Sequence, residues 1–468
     1  MRRLLVFRAR GPGKYTQGVA TAKNQSSSLS SPPDIDVVVI GAGLAGLACA
    51  CELIGGGLSV RLLDAADAPG GRVRTDVIDG FRLDRGFQVL LTEYPEARRV
   101  LDYDALALKN FLPGALVRQG GGFHRFADPY RELGKAIWFA FDPIVSMGDK
   151  MRVARLRKEC LQLSDEELFS LPEETTRDFL RRFGFTPAIL ERFFQPFFEG
   201  IFLERNLTTS ARWFRWLFRL FSTGFAAVPE LGMEQIPMQL ASRLPEGTLH
   251  CNVRVQSIEK SGRRWRVDVG DSGSFQANQV VMAAREPEAK ALLGPLRKPS
   301  AAPARAWNRT TTFYYAAPSP PVDEAVIVLN GEGPNAGPVN HLAVMSNVSA
   351  AYAPPGGHLI CANVVGSAPE SDIAMEAMEA DIRAQLRRWF GPQVNGWGVL
   401  AGYPIAHAVP MQSSFHPERA SPVEGGIFLC GDYVGSASIH GALMSGAKAA
   451  NAAIAQAVRN EKRSGRRG

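Results

Sequence analysis

The residues best suited to chemistry stand near the front of the chain. Gly41-x-Gly43-x-x-Gly46 separates an apolar, β-branched run (Asp36 to Ile40) from a run with helical spacing (Leu44 to Leu53). Each glycine meets a different demand: Gly41 permits a tight turn, Gly43 lets a pyrophosphate approach the backbone, and Gly46 lets helix and strand pack closely. With Leu44 and Ala45 they bring a phosphate to a helix N-terminus, where the backbone dipole favours negative charge. Asp64 follows 18 residues after Gly46, at the end of a second strand (Leu58 to Leu63), where a carboxylate takes the ribose hydroxyls of an adenosine. This is the pattern of a dinucleotide site, opening at Asp34. No Ser/His/Asp set or carboxylate pair can be assigned, and no Cys-x-x-Cys or His-Cys cluster provides for a metal. His440 and His407 lie where either could reach the site, so the catalytic residue stays unknown at this level.

Two further segments narrow the choice of dinucleotide. Pro69-Gly70-Gly71-Arg72-Val73-Arg74-Thr75 offers backbone N–H groups and a charged fork to a phosphate. Far downstream come Ile427-Phe428-Leu429-Cys430-Gly431-Asp432-Tyr433 and Ser438-Ile439-His440-Gly441-Ala442-Leu443-Met444-Ser445-Gly446. The two segments resemble the flavin motifs of the superfamily that holds amine oxidases, protoporphyrinogen oxidases and phytoene desaturases. The resemblance implies bound FAD, with Gly71 and Arg72 at its phosphates and Gly431 and Asp432 at the pyrophosphate and ribityl chain. It also implies that the backbone of Gly441 and Ala442 faces flavin N1 and the C2 carbonyl, where a helix N-terminus favours the anion formed on reduction. Leu83 to Gln88 is similar to the segment that passes the flavin ring, which adds Gly86, Phe87 and Gln88, and Val255 falls where the family contacts adenine. Relatives that attach flavin covalently use a cysteine near the loop Ala406 to Glu418, which contains none, so the FAD is expected to be non-covalent.

The same resemblance implies a two-electron oxidation or desaturation of an apolar small molecule. Phe193 to Phe202 is similar to a segment of the phytoene desaturases, and Phe193 to Phe225 holds nine Phe and two Trp in 33 residues, with Arg205, Arg212, Arg215 and Arg219 interleaved. Such a segment suits a helical core, an apolar substrate tunnel or a peripheral membrane contact. Two departures stand out. Leu231-Gly232 replaces the Gly-Gly pair that desaturases often show before the helix entering at Glu234, and Ser438 stands where amine oxidases place a cage tyrosine. The alternatives are a flavin amine oxidase and, from another class, a non-catalytic flavin-binding protein. A nicotinamide dehydrogenase is disfavoured by the C-terminal motif.

The elements that must position these residues read as follows. The opening βαβ unit is followed by mainly helical sequence from about 147 to 245, including Lys150 to Leu161 and Thr175 to Phe183. Val253 to Glu259 and Arg264 to Val269 alternate as a hairpin, and Gln279 to Ala283 is a strand. Thr310 to Tyr315, Ala325 to Leu329 and His358 to Val365 suggest a second sheet. A helix (Ser371 to Phe390), a strand (Ile427 to Cys430) and a helix from Gly441 to about Val458 complete the chain. The expected fold class is α/β: a Rossmann-type FAD-binding domain assembled from both chain ends (34–110, 245–300 and 420–458), plus an interrupted substrate domain of helices and a mixed sheet (111–244 and 301–419). A basic tail (459–468) follows.

Of the net charge of +7, six basic residues sit in 1–33, so the remainder carries only +1 and nucleic-acid binding has little support. That leader, basic, hydroxyl-rich and without acids, has the composition of a transit peptide or a disordered segment. Plastid import is the expectation, with mitochondria the alternative. Six scattered cysteines read as buried thiols.

Overall fold

Strand β1 (Ile35–Ile40) is buried on both faces, as the continuous apolar run of a parallel sheet requires. It leads through the glycine turn into α1 (Leu44–Gly55) and back to β2 (Val60–Leu63), which pairs parallel to β1 with Val38 beside Arg61. Ser274–Met282 lies on the other side of β1, Val38 beside Val280, and Ile427–Leu429 adds a further parallel strand with Phe428 beside Val281. Leu249–His250 closes the opposite edge. The hairpin Ser257–Ser261 and Arg264–Asp268 pairs antiparallel to the first half of Ser274–Met282. Residues 253–256, read as part of that hairpin, are not strand. The computed structural model describes residues 35–127, 146–296, 306–415, 422–423 and 425–464; the leader, residues 416–418 of the segment expected as a loop and the end of the basic tail lie outside them, while 406–410 of that segment are strand.

Both ends of the chain therefore meet in one sheet. The closing helix (Ile439–Ser464) packs on α1 so tightly that a Cβ on Gly446 would stand 2.2 Å from the Ala45 carbonyl oxygen. Only glycine allows two helix backbones this near each other.

The second sheet has seven strands in the order 398–410, 307–317, 358–365, 339–344, 327–330, 114–119, 122–127, antiparallel except where Ile327–Asn330 runs beside Gly114–Gln119. Three of the strands read from sequence are here: one lengthened to Trp307–Ala317, one shifted to Ile327–Asn330, and His358–Val365 with the bounds expected. The hairpin at 114–127, Val339–Val344 and Gly398–Pro410 were not read as strands. Gly398–Pro410 carries Gly402, Pro404 and Pro410, which argue against a central strand, and it lies on the sheet edge, where a residue without an N–H is tolerated. Helices Met147–Gln162, Thr176–Phe183, Gln195–Phe202 and Ala211–Thr223 form the third body. Ser146, Thr175 and Ser210 cap three of them through side-chain oxygens.

One carboxylate joins these bodies. Asp84 ends the strand Phe81–Asp84 and accepts hydrogen bonds from Thr75 Oγ1 (2.6 Å), Met233 N (2.9 Å) and Tyr352 Oη (2.8 Å). Burial pushes its pKa up to about 6, against the pull of those three donors. The folded carboxyl thus holds its proton more tightly than the unfolded one, with its ordinary pKa of 3.8. Its contribution is fully present below that value and is lost as pH rises through about 6. Urea titrations should therefore show the stability of the native chain, relative to Asp84→Asn, falling across that window. Asp84→Ala, which strands three donors, should cost about 2–4 kcal/mol.

Candidate functional site

The carboxyl ends of the parallel strands open into a cavity of about 1230 Å³ that continues between the second sheet and the helices. At its first end the three glycines divide their work. Gly41 has φ +106°, and a Cβ there would lie 2.8 Å from the Ala283 backbone. A Cβ on Gly46 would lie 1.8 Å from the Gly41 oxygen, so this residue serves the packing of helix on turn and does not line the cavity. Gly43 differs: it lines the cavity, and a Cβ there would meet nothing within 4 Å. The space beyond it is open to a ligand.

Asp64 accepts from the Ala42 N–H (2.5 Å) and the Ala66 N–H (2.7 Å), fixing the glycine loop while its carboxylate keeps capacity for hydroxyl donors. The Gly-Gly-Arg segment docks on that loop, the Gly70 N–H donating to the Ala42 oxygen at 2.8 Å. Arg72 then reaches the other end of the chain. Its Nη2 donates to Asp432 Oδ1 at 2.7 Å and its Nη1 to the Ala408 oxygen at 2.5 Å, with the guanidinium over the Trp307 ring. Burial works against the charge on Arg72, but Asp432 more than offsets it and its pKa is raised. The two motifs read as a pair from sequence are thus joined directly.

Gly71, Leu44, Ala45, Gly86, Phe87, Gln88, Val255, Gly431 and Asp432 all line the cavity. Gly431 donates its N–H to Ser445 Oγ at 2.9 Å. Gln88 Nε2 donates to the Arg72 oxygen at 2.9 Å, while its Oε1 is buried with no partner among the described residues. Ala442 reaches the wall and Gly441 packs behind it. Ser438 holds both N–H groups, that of Gly441 donating to its Oγ (3.0 Å) and that of Ala442 to its carbonyl oxygen (3.0 Å). A long polar ligand fits this half of the cavity: it would fill the space over Gly43 and supply the donor that Gln88 Oε1 lacks.

The other half is a different solvent. Seven of the nine phenylalanines between 193 and 225 line it: Phe193, Phe194, Phe197, Phe198, Phe218, Phe221 and Phe225. The interleaved arginines turn away to structural partners. Arg205 donates to the Val365 oxygen, Arg212 to the Phe415 oxygen and Arg219 to the Leu163 oxygen, while Arg215 lies 4.0 Å over the Phe179 ring.

Neither histidine singled out from sequence is on the wall. His440 stacks on Tyr94 and lies tilted against Trp216, its Nδ1 accepting from the Glu96 N–H at 3.3 Å, and burial pushes its pKa down to about 4. His407 packs on the Trp307 ring. The histidine that does line the cavity is His341, in the wholly buried strand Val339–Val344. A polar pair, Asn340-His341, inside an apolar run was the available signal, and it went unread because the strand itself was not recognised. Tyr94 was missed as well; it brings an aromatic ring to the wall beside Ser438, from a remote part of the chain.

Comparison with known proteins agrees with this geometry. The profile of the family described as flavin containing amine oxidoreductase matches residues 44–454. The chain belongs to this family. Among curated proteins it is similar to phytoene dehydrogenase of Streptomyces griseus, 52% identical over 54 residues, which are 12% of this chain and 11% of that protein. It is also similar to L-amino-acid oxidase of Daboia russelii, 44% identical over 61 residues, 13% and 12% of the two chains. These matches span about a tenth of each relative. A solved structure from Exiguobacterium sp. 255-15, provisionally designated a protoporphyrinogen oxidase, superposes with a TM-score of 0.70 at 18% identity, covering 91% of this chain and 99% of that one. The chain's family is that of flavin-containing oxidoreductases, and the residues lining the dinucleotide half of the cavity would hold FAD.

The glycines separate cofactor loss from unfolding. Gly43→Val, whose side chain enters open space, should leave the thermal midpoint near that of the native protein but lower the ratio of flavin to protein absorbance after gel filtration. Gly46→Ala should lose about 3 kcal/mol or more of stability. Asp64→Ala removes a charged acceptor and should weaken FAD binding about ten- to 150-fold by fluorescence titration. Acid precipitation should free the flavin from the protein pellet.

Proposed function

We propose that this flavin oxidoreductase oxidises or desaturates a long apolar molecule, in the manner of the desaturase branch of its family. The single observation that carries the reading is the phenylalanine-lined half of the cavity, continuous with the FAD half. FAD supplies the two-electron acceptor when bound. The chain's own part is to bury the substrate, exclude water and hold the reacting carbon against the cofactor. Transfer of an apolar chain out of water contributes about 25 cal/mol per Å² buried, enough for a cavity with few polar anchors to bind. The relatives include both a phytoene dehydrogenase and an L-amino-acid oxidase, so the substrate class rests on this wall.

The entrance supports delivery from a lipid surface. Met147, Met151 and Phe225 line the cavity and are 60%, 64% and 37% exposed. The helix Met147–Gln162 also carries Lys150, Arg152, Arg155, Arg157 and Lys158. Exposed methionines among basic residues suit peripheral contact with anionic lipid. No helix among the described residues is long and apolar enough to cross a membrane. Plastid targeting by residues 1–33 completes the proposal, and a fluorescent reporter carrying that leader should enter plastids.

Anaerobic titration of the holoprotein tests the substrate class. Polyene, isoprenoid or tetrapyrrole-like compounds should bleach the flavin band, and benzylamine and polyamines should not. Bleaching by amines alone would favour the amine oxidase reading, for which Tyr94 beside Ser438 would supply one aromatic face. Bleaching by neither class would favour a flavin-binding role without turnover.

A further inference from the structure

Between the cofactor half and the phenylalanine half of the cavity stands a polar device that neither of them explains. His341 is 1% exposed, lines the cavity, and meets the ring of Phe87, in the segment expected beside the flavin, edge-on at 4.8 Å. Its Nδ1 is 2.8 Å from Asn340 Oδ1. Asn340 Nδ2 donates to Glu199 Oε2 at 2.9 Å, and Gln195 Nε2 donates to Glu199 Oε1 at 2.7 Å. Gly200 makes room for the ring: a Cβ there would lie 2.9 Å from His341 Nδ1. His341 Nε2 is buried and has no partner among the described residues.

The chain of contacts sets the tautomer. Burial raises the Glu199 pKa to about 7; in the ionised form each of its oxygens receives an amide N–H, so Asn340 turns its N–H to Glu199 and its oxygen to His341. Nδ1 must then carry the proton and donate. Burial lowers the imidazole pKa to about 3, so the ring is neutral at pH 7. Nε2 is left as a bare lone pair, an acceptor in need of a donor. An unmade hydrogen bond at a buried acceptor is costly, and a cavity wall is where a ligand can make it.

We propose that His341 Nε2 accepts a hydrogen bond from a hydroxyl group on an otherwise apolar substrate, and so sets which carbon of that substrate faces the cofactor. The proposal rests on the apolar-substrate reading above. A hydroxyl suits the site better than an ammonium group, because both Glu199 oxygens already accept hydrogen bonds and no acidic side chain among the described residues is hydrogen-bonded to the imidazole; a buried cation without a counter-charge is expensive.

The test compares an unbranched or isoprenoid alcohol with the hydrocarbon of the same skeleton, read by perturbation of the flavin spectrum of the holoprotein. The native protein should bind the alcohol about ten-fold tighter. His341→Leu, in protein that retains its FAD, should abolish that preference, and His341→Gln, which retains an acceptor, should restore part of it. Equal affinities in the native protein, or a preference that survives in His341→Leu, would overturn the role of His341 and leave the apolar reading standing. Failure of both compounds to bind would overturn the two together. A tighter fit of the corresponding primary amine than of the alcohol would overturn the hydroxyl assignment.

Discussion

Where α1 crosses the closing helix, the Ala45 oxygen stands 2.2 Å from the point at which a side chain on Gly446 would begin, and at Gly46 the Gly41 oxygen is nearer still, at 1.8 Å. Backbones this close leave no tolerance in the positions of the elements that carry them. The crossing at Gly446 sets where the closing helix lies, and hence where Ser438 and Ala442 enter the wall. The packing at Gly46 sets how near the first turn comes to Ala283. Arg72 and Asp432 can then meet at 2.7 Å across a separation of 360 residues. Their pairing follows from the helix contact, because a charge pair of this kind has value only where its partners are already held in place.

The cavity shows two physical regimes joined end to end. One wall is built of backbone and charge, from glycines, Asp64, Arg72 and Asp432; the other is built of phenylalanine rings. Arginines that could have lined the second regime are each drawn to backbone oxygens or ring faces outside it. An apolar ligand in that half would be met by dispersion and exclusion of water, while the few polar contacts would decide its orientation.

What could be read from the sequence was whatever depends on local geometry. Gly41, Gly43 and Gly46 announce a turn because each satisfies a constraint within a few residues, and Asp64 follows at a fixed spacing from them. The Gly431-Asp432 segment was legible through its resemblance to a family. His341 and Tyr94 were not, since nothing near either in the chain tells which wall it will join. His341 sits on a strand whose partners lie at 327–330 and 358–365. Tyr94 meets Trp216 and His440 only after three distant segments have assembled. His440 drew attention by standing next to the flavin motif, yet it serves to fill a stack of rings. The strand Gly398–Pro410 was hidden because its prolines deny it a central place, and an edge place is a property of the whole sheet.

The pairing of Ile427–Leu429 with Ser274–Met282, and of the closing helix with α1, has a consequence for how the molecule comes into being. The βαβ unit at the front of the chain is made early, but its sheet lacks a strand and its first helix lacks a cover until nearly 400 further residues have been synthesised. Contacts so distant in sequence are slow to form, and the exposed edge and apolar helix face are open to wrong partners in the meantime. A dinucleotide site walled by Ser438 and Ala442 would be complete only once the closing helix has docked, so its occupation would report that the chain has closed.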